Sequence, residues 1–370
     1  MRPESLAFLR TLLDTPSPSG FEEAGQRHWL AYVRPFADRC WNDAYGNCFA
    51  ELTPAGRGAD GSAPFTVAIC GHADEIGLMV NHIDSNGFVY CRAIGGIDVT
   101  SIVGKRVRFQ SSVPGVSNPV VGLIGATAIH LQDKSGDPKV RKMHELFVDL
   151  GAKDQAAAQA LVNVGDPGVF LDDSMLLGDG LLVARALDNR VGTFAAAEAL
   201  RLLAAAPRRP AVRVVAVSTV QEEVGLHGAE MIAESLRPQV ALVTDVGHAT
   251  DSPGINHAQH GQFKLGAGPK LAVGGPVHPL VMRRLATSAA ALGHPVQRAA
   301  TPGRSGTDTD AIFHRAGGIP CGLLSLPIRY MHTTVEVTAL ADLERIAEIF
   351  AHFCGELTGR EVLAPALSAG

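Results

Sequence analysis

Several features are missing from this sequence, and each absence removes a class of protein. No apolar run approaches the roughly 20 residues that a membrane-spanning helix needs. Basic residues are not in excess, since 32 Lys and Arg face 37 Asp and Glu, so nucleic acid is not an expected partner. The six cysteines form no CxxC pair, and the amphipathic first segment lacks the apolar centre of a secretion signal. We therefore expect a soluble, cytoplasmic protein with no membrane partner.

Familiar catalytic motifs are absent as well. The chain has no GxxxxGK[ST] loop, no strand followed by GxGxxG and no HExxH helix. The segment from Gly303 to Thr307 begins like a nucleophile elbow, but it lacks the last glycine of that motif. Nucleotide binding through these loops, zincin chemistry and serine hydrolase chemistry therefore have little support.

The pattern of helices and strands predicts two domains. At 370 residues the chain exceeds the size at which a single core stops growing. Strands and helices alternate from about residue 175 onward, which favours a largely parallel, three-layer α/β/α core. Between about residues 76 and 168, short strands separated by Gly, Pro and Asn turns indicate an inserted small barrel or sandwich. We expect a catalytic α/β domain of residues 1–74 and 172–370 and an inserted β-rich domain of residues 75–171. The polar Gly56–Pro64 segment is expected to be a loop.

Four apolar runs stop at side chains that could bind a metal. In an open α/β sheet, ligands bind beyond the carboxyl ends of the strands, so these side chains should converge. Asp188, which precedes an Ala-rich helix, is a fifth candidate ligand. Two histidines and several carboxylates at one point suit a two-metal hydrolytic centre. The four runs are Val67–His72, Val214–Glu223, Val240–Asp245 and Leu323–His332.

The adjacent carboxylates Glu222 and Glu223 admit two interpretations. Successive side chains of an extended strand point in opposite directions, so one could bind metal while the other acts as a general base. The alternative is a solvated strand end, where such pairs are common.

The remaining candidates carry similar alternatives. His72 followed by Asp74 suits a ligand held by a supporting carboxylate, but a lone histidine after a strand is often structural. Asp188 could be a helix N-cap, or it could bridge two cations. Burying Asp245 at the end of an apolar strand would require a cation, and His332 is ambiguous by itself.

Eight short segments add a family resemblance. They occur in order along nearly the whole chain: Gly71–Gly77, Ala93–Gly96, Leu146–Gly151, Arg185–Arg190, Val220–Ala229, Thr244–Val246, Gly306–Asp308 and Arg329–Thr333. Together they resemble the family 42 metallopeptidases, which include deblocking, glutamyl and tetrahedral aminopeptidases. The single segments are weak signals, whereas the ordered set is specific.

The resemblance assigns a role to each residue. Asp188 would bridge two divalent metals per subunit, Zn or Co in preference to Mn. Glu222 would be the general base that takes a proton from a water bound to both metals. Asp74 would hold His72, and the Asp188–Asn189 peptide bond would be cis. The implied activity is removal of N-terminal residues from peptides with a free N-terminus. The ligand set would be His72, Asp188 and Asp245 for one metal, and Asp188, Glu223 and His332 for the other.

The same resemblance implies self-association and leaves rival functions open. The inserted β domain would be an oligomerisation domain, giving homo-oligomers between dimers and dodecamers. A metal-dependent amide deacylase or a glucanase would keep the fold and change the substrate. A non-catalytic oligomeric scaffold is less compatible with a full set of ligands. Side chains from Gly303–Asp310, Tyr330 and the loop after Asp245 are expected to line the substrate pocket.

Overall fold

The computed structural model of the chain describes residues 1–54, 64–131, 140–365 and 367. The expected loop Gly56–Pro64 lies outside these residues except for Pro64. The helices are α1 (Pro3–Asp14), α2 (Glu23–Val33), α3 (Gln155–Gln159), α4 (Leu187–Ala205), α5 (His227–Leu236), α6 (His257–His260), α7 (Pro279–Ala291), α8 (Asp308–Ile312) and α9 (Leu340–Gly355). Short 3₁₀ turns lie at Val99–Ser101, Ile129–Leu131 and Met143–Glu145.

The strands fall into one open sheet and one barrel. Sheet strands are β1 (Arg39–Asn42), β2 (Cys48–Leu52), β3 (Thr66–His72), β10 (Met175–Leu177), β11 (Leu181–Ala184), β12 (Arg213–Thr219), β13 (Val240–His248), β14 (Lys270–Val273), β15 (Gln297–Ala300), β16 (Cys321–Arg329) and β17 (Glu336–Ala339). Barrel strands are β4 (Gly77–Ile83), β5 (Val89–Ile94), β6 (Arg106–Phe109), β7 (Val120–Gly125), β8 (Phe147–Asp149) and β9 (Pro167–Phe170).

The open sheet has the order β1-β2-β12-β3-β13-β16-β17-β11-β10, with β14 and β15 attached beside β16. Its four central strands, β12, β3, β13 and β16, are mutually parallel. The expectation of a largely parallel sheet is wrong for the flanks, where β1, β2, β17, β11 and β10 pair antiparallel. Short connections join antiparallel neighbours such as β10 and β11, whereas the parallel neighbours β14 and β15 are joined through helix α7.

Strand β3 shows why the core has three layers. Every residue of this strand is buried. Val67 and Ile69 pack with the side of the sheet that α1, α4 and α9 cover, while Ala68 and Cys70 pack with the side that α5 and α8 cover. Because successive side chains point to opposite faces of the sheet, one strand contributes to two hydrophobic layers. The expected three-layer α/β/α fold is confirmed.

The inserted segment is a closed barrel, which decides between the barrel and the sandwich. Its strand order is β4-β5-β8-β7-β6-β9. The sequence pattern picked out pieces of β5, β6, β7 and β8 but gave no separate prediction for β4 and β9. Gly77 and Gly168 weaken the strand pattern, yet a Cβ on Gly77 would lie 2.7 Å from the Gly168 carbonyl oxygen, so the two strands approach closely there. The boundaries of the inserted domain remain a prediction.

One close contact positions the carboxyl end of strand β3. A Cβ on Gly71 would lie 2.4 Å from the main-chain carbon of Gly192, so β3 and α4 approach as only glycines allow. This contact holds the N-terminal turn of α4, and with it Asp188, beside His72 at the end of β3. Among the described residues, no helix is long and apolar enough to cross a membrane.

Candidate active site

The parallel central strands bring the predicted ligands to one edge of the sheet. His72 is the last residue of β3, and Cys70 pairs with Val243 two positions before Asp245. Asp245 does not end its strand, as β13 continues to His248. His332 lies three residues beyond the end of β16, in a loop where it has φ 61°.

The carboxylate of Asp188 lies between the two histidines. Its Oδ1 is 3.2 Å from Nε2 of His72, and its Oδ2 is 3.3 Å from Nε2 of His332. Asp188 has φ −79° and ψ 107°, outside the helical region, and no side chain caps α4. The N-cap interpretation of Asp188 is therefore wrong, because both of its oxygens face imidazoles. The Asp188–Asn189 peptide bond is cis, as the family resemblance implied.

The remaining candidates complete two groups. Nε2 of His72 lies 3.7 Å from Asp245 Oδ1 and 3.7 Å from Glu222 Oε2, and Nε2 of His332 lies 3.7 Å from Glu223 Oε2. Ligand atoms within 4.8 Å of one another form two groups in the described residues: His72, Glu222 and Asp245, and Asp188, Glu223 and His332. Glu222, expected as a base, thus lies among the atoms of the first group.

Asp74 is a branching point for hydrogen bonds. Its Oδ1 is 3.3 Å from Nδ1 of His72 and its main-chain carbonyl is 3.2 Å from the same nitrogen. The main-chain N–H groups of Glu222 and Glu223 donate to Oδ1 and Oδ2 over 3.0 and 3.1 Å, and the Ser19 hydroxyl donates to Oδ2 over 2.5 Å. Asp74 therefore fixes the main chain of the two glutamates as well as the His72 ring.

The explanation expected for the two glutamates was wrong. Strand β12 ends at Thr219, and Gln221 has φ 57°, so Glu222 and Glu223 lie in a turn and not in an extended strand. Their side chains diverge because the turn, held by Asp74, directs one towards His72 and the other towards His332.

The site concentrates negative charge away from water. Burial raises the pKa of Glu222 to about 8, and burial together with the neighbouring Asp188 raises that of Glu223. Burial likewise raises the pKa of Asp245. Burial alone would raise the pKa of Asp188, but hydrogen bonds from His332 and His72 outweigh the effect of burial, and the pKa is lowered. Oε1 of Glu223 is buried and has no hydrogen-bond partner in the described part of the chain. Clustered buried carboxylates with an unpaired oxygen fit a pair of divalent cations.

Sequence reasoning did not assign a role to two acidic groups behind the site, Glu336 and Asp308. Glu336, at the start of β17, accepts from the main-chain N–H of Asp188 over 3.0 Å and from that of His332 over 3.1 Å. Asp308 is buried and accepts from the Thr219 hydroxyl over 2.6 Å, and burial raises its pKa to about 6. Asp308 lies in a segment that carried the family resemblance, which was the available signal. For Glu336, the only signal in the sequence was its position four residues after His332.

A cavity of about 970 Å³ opens in front of both groups. Its walls include Arg304–Thr307, from the expected segment Gly303–Asp310, and Val246–His248, which were expected in a loop but belong to strand β13. Tyr330 was expected in the lining but is 55% exposed outside it, and Met331 lines the cavity instead. The reason is the loop after β16, in which Tyr330 has φ 63° and turns away from the cavity.

The cavity also contains a lysine that the sequence did not single out. Nζ of Lys270 donates to the His248 carbonyl over 3.3 Å and lies 4.2 Å from the centre of the Phe263 ring. Burial lowers the pKa of Lys270 to about 8. Among the described residues, no carboxylate forms an ion pair with Lys270, which lines the cavity.

Known proteins resemble this chain over nearly its full length. Lysyl aminopeptidase of Pyrococcus furiosus is 28% identical over 353 residues, which cover 95% of this chain and 96% of the relative. The structure of a TET aminopeptidase from Thaumarchaeota archaeon SCGC AB-539-E09 superposes with a TM-score of 0.88 at 28% identity, covering 96% of each chain. The Pyrococcus horikoshii TET1 peptidase, described as assembling into a tetrahedron or a large octahedral shell, superposes with a TM-score of 0.81 at 30% identity, covering 95% of this chain and 100% of that one.

A family model decides the relationship. The model described as M42 glutamyl aminopeptidase matches residues 55–349, well over half of the chain. The ordered segments, the fold and the grouped histidines and carboxylates all agree with that match. This chain belongs to the M42 glutamyl aminopeptidase family.

Proposed function

We propose that this protein is a dinuclear metallo-aminopeptidase that removes N-terminal residues from peptides. One observation carries the proposal: the two oxygens of Asp188 face the two histidines at 3.2 and 3.3 Å, each histidine within a separate group of ligand atoms. A carboxylate that offers one oxygen to each of two cations is the natural bridge of a two-metal site.

The proposed ligands divide around Asp188. His72 and Asp245 complete one cation site, and Glu223 and His332 complete the other. Two bound divalent cations would lower the pKa of a shared water and polarise the peptide carbonyl. The mixed set of nitrogen and oxygen donors favours Zn or Co, with Mn as a further candidate.

Glu222 is proposed as the general base. Its carboxylate lies beside His72, and its backbone is fixed by Asp74. Without cations, burial raises the pKa of Glu222 to about 8, and two bound cations would lower it, so that the carboxylate could take a proton from the attacking water and return it to the leaving amine. The carboxylates of the second group would receive the free amino terminus, which makes the activity that of an exopeptidase.

Lys270 supports a preference for acidic N-terminal side chains. Its ammonium group has no carboxylate partner among the described residues and lies in the wall of the catalytic cavity. A desolvated cation is stabilised by an anionic group of the substrate more than by a neutral one. Glutamyl and aspartyl residues are therefore the proposed substrates in this pocket.

We further propose that the protein is a cytoplasmic homo-oligomer assembled through the inserted barrel. Val121 and Leu123 on β7 are 46% and 49% exposed on the outside of the barrel, where a second copy could cover them. All six cysteines are free, which agrees with a reducing compartment. Light scattering of the wild type measures the oligomeric state. The same measurement on a Val121→Asp, Leu123→Asp double variant tests whether this surface forms the interface.

Hydrolysis of aminoacyl anilides tests the activity. The purified protein is treated with a chelator and then supplied with Zn, Co or Mn, using glutamyl, leucyl and lysyl substrates and an N-acetylated glutamyl control. The expected result is metal-dependent cleavage, fastest for the glutamyl substrate and absent for the acetylated one. Cleavage of the acetylated substrate alone would favour a deacylase, and metal-independent hydrolysis of a glucan would favour a glucanase.

A further inference from the structure

The turn that follows β5 in the barrel lies against the catalytic centre. The main-chain N–H of Asp98 donates to the carbonyl of His332 over 3.1 Å. A Cβ on Gly96 would lie 3.1 Å from Nδ1 of His332, and a Cβ on Gly95 would lie 3.0 Å from Oε2 of Glu223. The barrel therefore touches two members of the second group of ligand atoms through residues Gly95–Asp98, called here the barrel turn.

The contacts of His332 show what the barrel turn does. The main chain at Gly96 lies against the Nδ1 edge of the His332 ring, on the side opposite to the Nε2 that faces Asp188. Contacts on one ring nitrogen of a histidine help to fix the direction in which the other nitrogen faces a cation. His72 has the equivalent support from the carboxylate and carbonyl of Asp74, within the catalytic sheet.

The backbone of His332 also needs external support. It has φ 61°, a region that side-chain-bearing residues adopt only when surrounding contacts hold them there. Glu336 accepts from its N–H, and Asp98 donates to its carbonyl. Of these two contacts, the one from Asp98 comes from the barrel.

We propose that the barrel turn is a positioning element of the catalytic centre, which orients His332 towards the Asp188 and Glu223 carboxylates. The inserted barrel then has a role in catalysis separate from any role in assembly. This inference rests on the proposed function only in taking the group of Asp188, Glu223 and His332 as a cation site.

Two pairs of variants test the proposal in the full-length protein. Gly96→Ala adds a methyl group against His332 at a position outside the left-handed region, while the control Gly355→Ala adds one where nothing lies within 4 Å. Asp98→Pro removes the main-chain N–H that donates to the carbonyl of His332, and the φ of −71° at this residue suits proline. The control Asp98→Ala keeps the N–H. Calorimetric titration with Co²⁺ then measures both binding constants, and light scattering measures the assembly.

The expected result is a selective loss of one cation. Gly96→Ala and Asp98→Pro should weaken one of the two binding constants by roughly 10- to 100-fold and leave the other and the assembly unchanged. Gly355→Ala and Asp98→Ala should bind as the wild type does. Wild-type constants in both Gly96→Ala and Asp98→Pro would overturn the proposal. If Gly96→Ala does not fold, the Asp98 pair decides.

Failure of the proposed function gives a different pattern. A wild-type protein that binds no divalent cation would refute the dinuclear site, whatever the variants do. The positioning of His332 would then be read from its ¹⁵N ring resonances in the metal-free wild type and Gly96→Ala proteins. Identical resonances would overturn the positioning proposal as well, and a changed tautomer would uphold it.

Discussion

The main-chain N–H of Glu222 donates to Oδ1 of Asp74 over 3.0 Å, and the same oxygen lies 3.3 Å from the His72 ring. One buried carboxylate thus links the proposed general base to a proposed metal ligand. Glu223 is tied to the other oxygen of Asp74 over 3.1 Å. The distance between the proposed base and the two proposed cation sites is therefore set largely by Asp74.

Asp74→Asn should disrupt this geometry with little change in side-chain volume. The new amide group cannot accept from both glutamate N–H groups, so at least one of them loses its partner. We expect a loss of about 10- to 100-fold in cation affinity and a larger loss in kcat. Calorimetry and anilide hydrolysis measure these two quantities. The control Ser19→Ala removes one donor to Asp74 and should change activity by less than about tenfold. If Asp74→Asn has the cation affinity and kcat of the wild type, Asp74 does not link the base to the ligands.

Glu222→Gln separates a base from a ligand. If Glu222 moves the proton, the variant should bind two cations almost as the wild type does and lose at least about 10²-fold in kcat. Metal content by mass spectrometry and turnover of a glutamyl anilide check this. Glu223→Gln is the matched control and should lose affinity at one site. Loss of a cation in Glu222→Gln would instead make Glu222 a ligand of the first group, where its carboxylate lies.

Lys270 predicts a pH dependence that is specific to acidic substrates. Its pKa is lowered to about 8 by burial, so the ammonium group is charged below that pH and neutral above it. The ratio of kcat/KM for glutamyl and leucyl anilides cancels groups common to both. This ratio should be flat between about pH 6 and 7, where the substrate carboxylate and Lys270 are both charged, and fall as pH rises through 8. Lys270→Met should lower the ratio and make it independent of pH; an unchanged ratio would contradict an acidic pocket.

Glu22 predicts a pH dependence of stability. Burial, with the nearby Asp74 charge, raises the pKa of Glu22 from 4.5 to about 7. A raised pKa means that the folded protein binds the proton more tightly, so the stabilisation is complete below pH 4.5 and is lost as pH rises through 7. Glu22→Gln keeps an oxygen for the N–H groups of Gly20 and Gln221 and removes this titration. The difference in free energy of unfolding between the two metal-free proteins should change by about 3 kcal/mol across that window.

Urea unfolding at several pH values between 4 and 8 measures this difference. Gly355→Ala, a methyl addition into open space, serves as the control because its stability relative to the wild type should not depend on pH. A difference between wild type and Glu22→Gln that stays constant with pH would show that Glu22 has the same pKa in the folded and unfolded states.

Local patterns in the sequence carried much of the fold. Continuous apolar runs predicted β3, β12, β13 and β16, because a strand buried on both faces has no polar alternation. Strands β4 and β9 escaped prediction because glycines interrupt their pattern, and their pairing depends on a close approach between distant segments.

The candidate site divides in the same way. His72, Asp188, Glu223, Asp245 and His332 were expected to meet, and they do lie together, since parallel strands deliver their ends to one edge. Their roles as ligands stay a prediction. Glu336 was missed because its partners, the N–H groups of Asp188 and His332, carry no signature in the sequence.

By itself the sequence determined which residue types could do chemistry and which segments would be buried, since both follow from side-chain polarity and its period along the chain. Tertiary structure alone decided that Glu222 and Glu223 lie in a turn and not at the end of a strand, that Asp74 holds both, and that the barrel reaches His332. Those outcomes depend on left-handed backbone positions and on main-chain hydrogen bonds between residues far apart in the chain. Main-chain groups are the same in every residue, so no side-chain pattern could reveal which of them would meet.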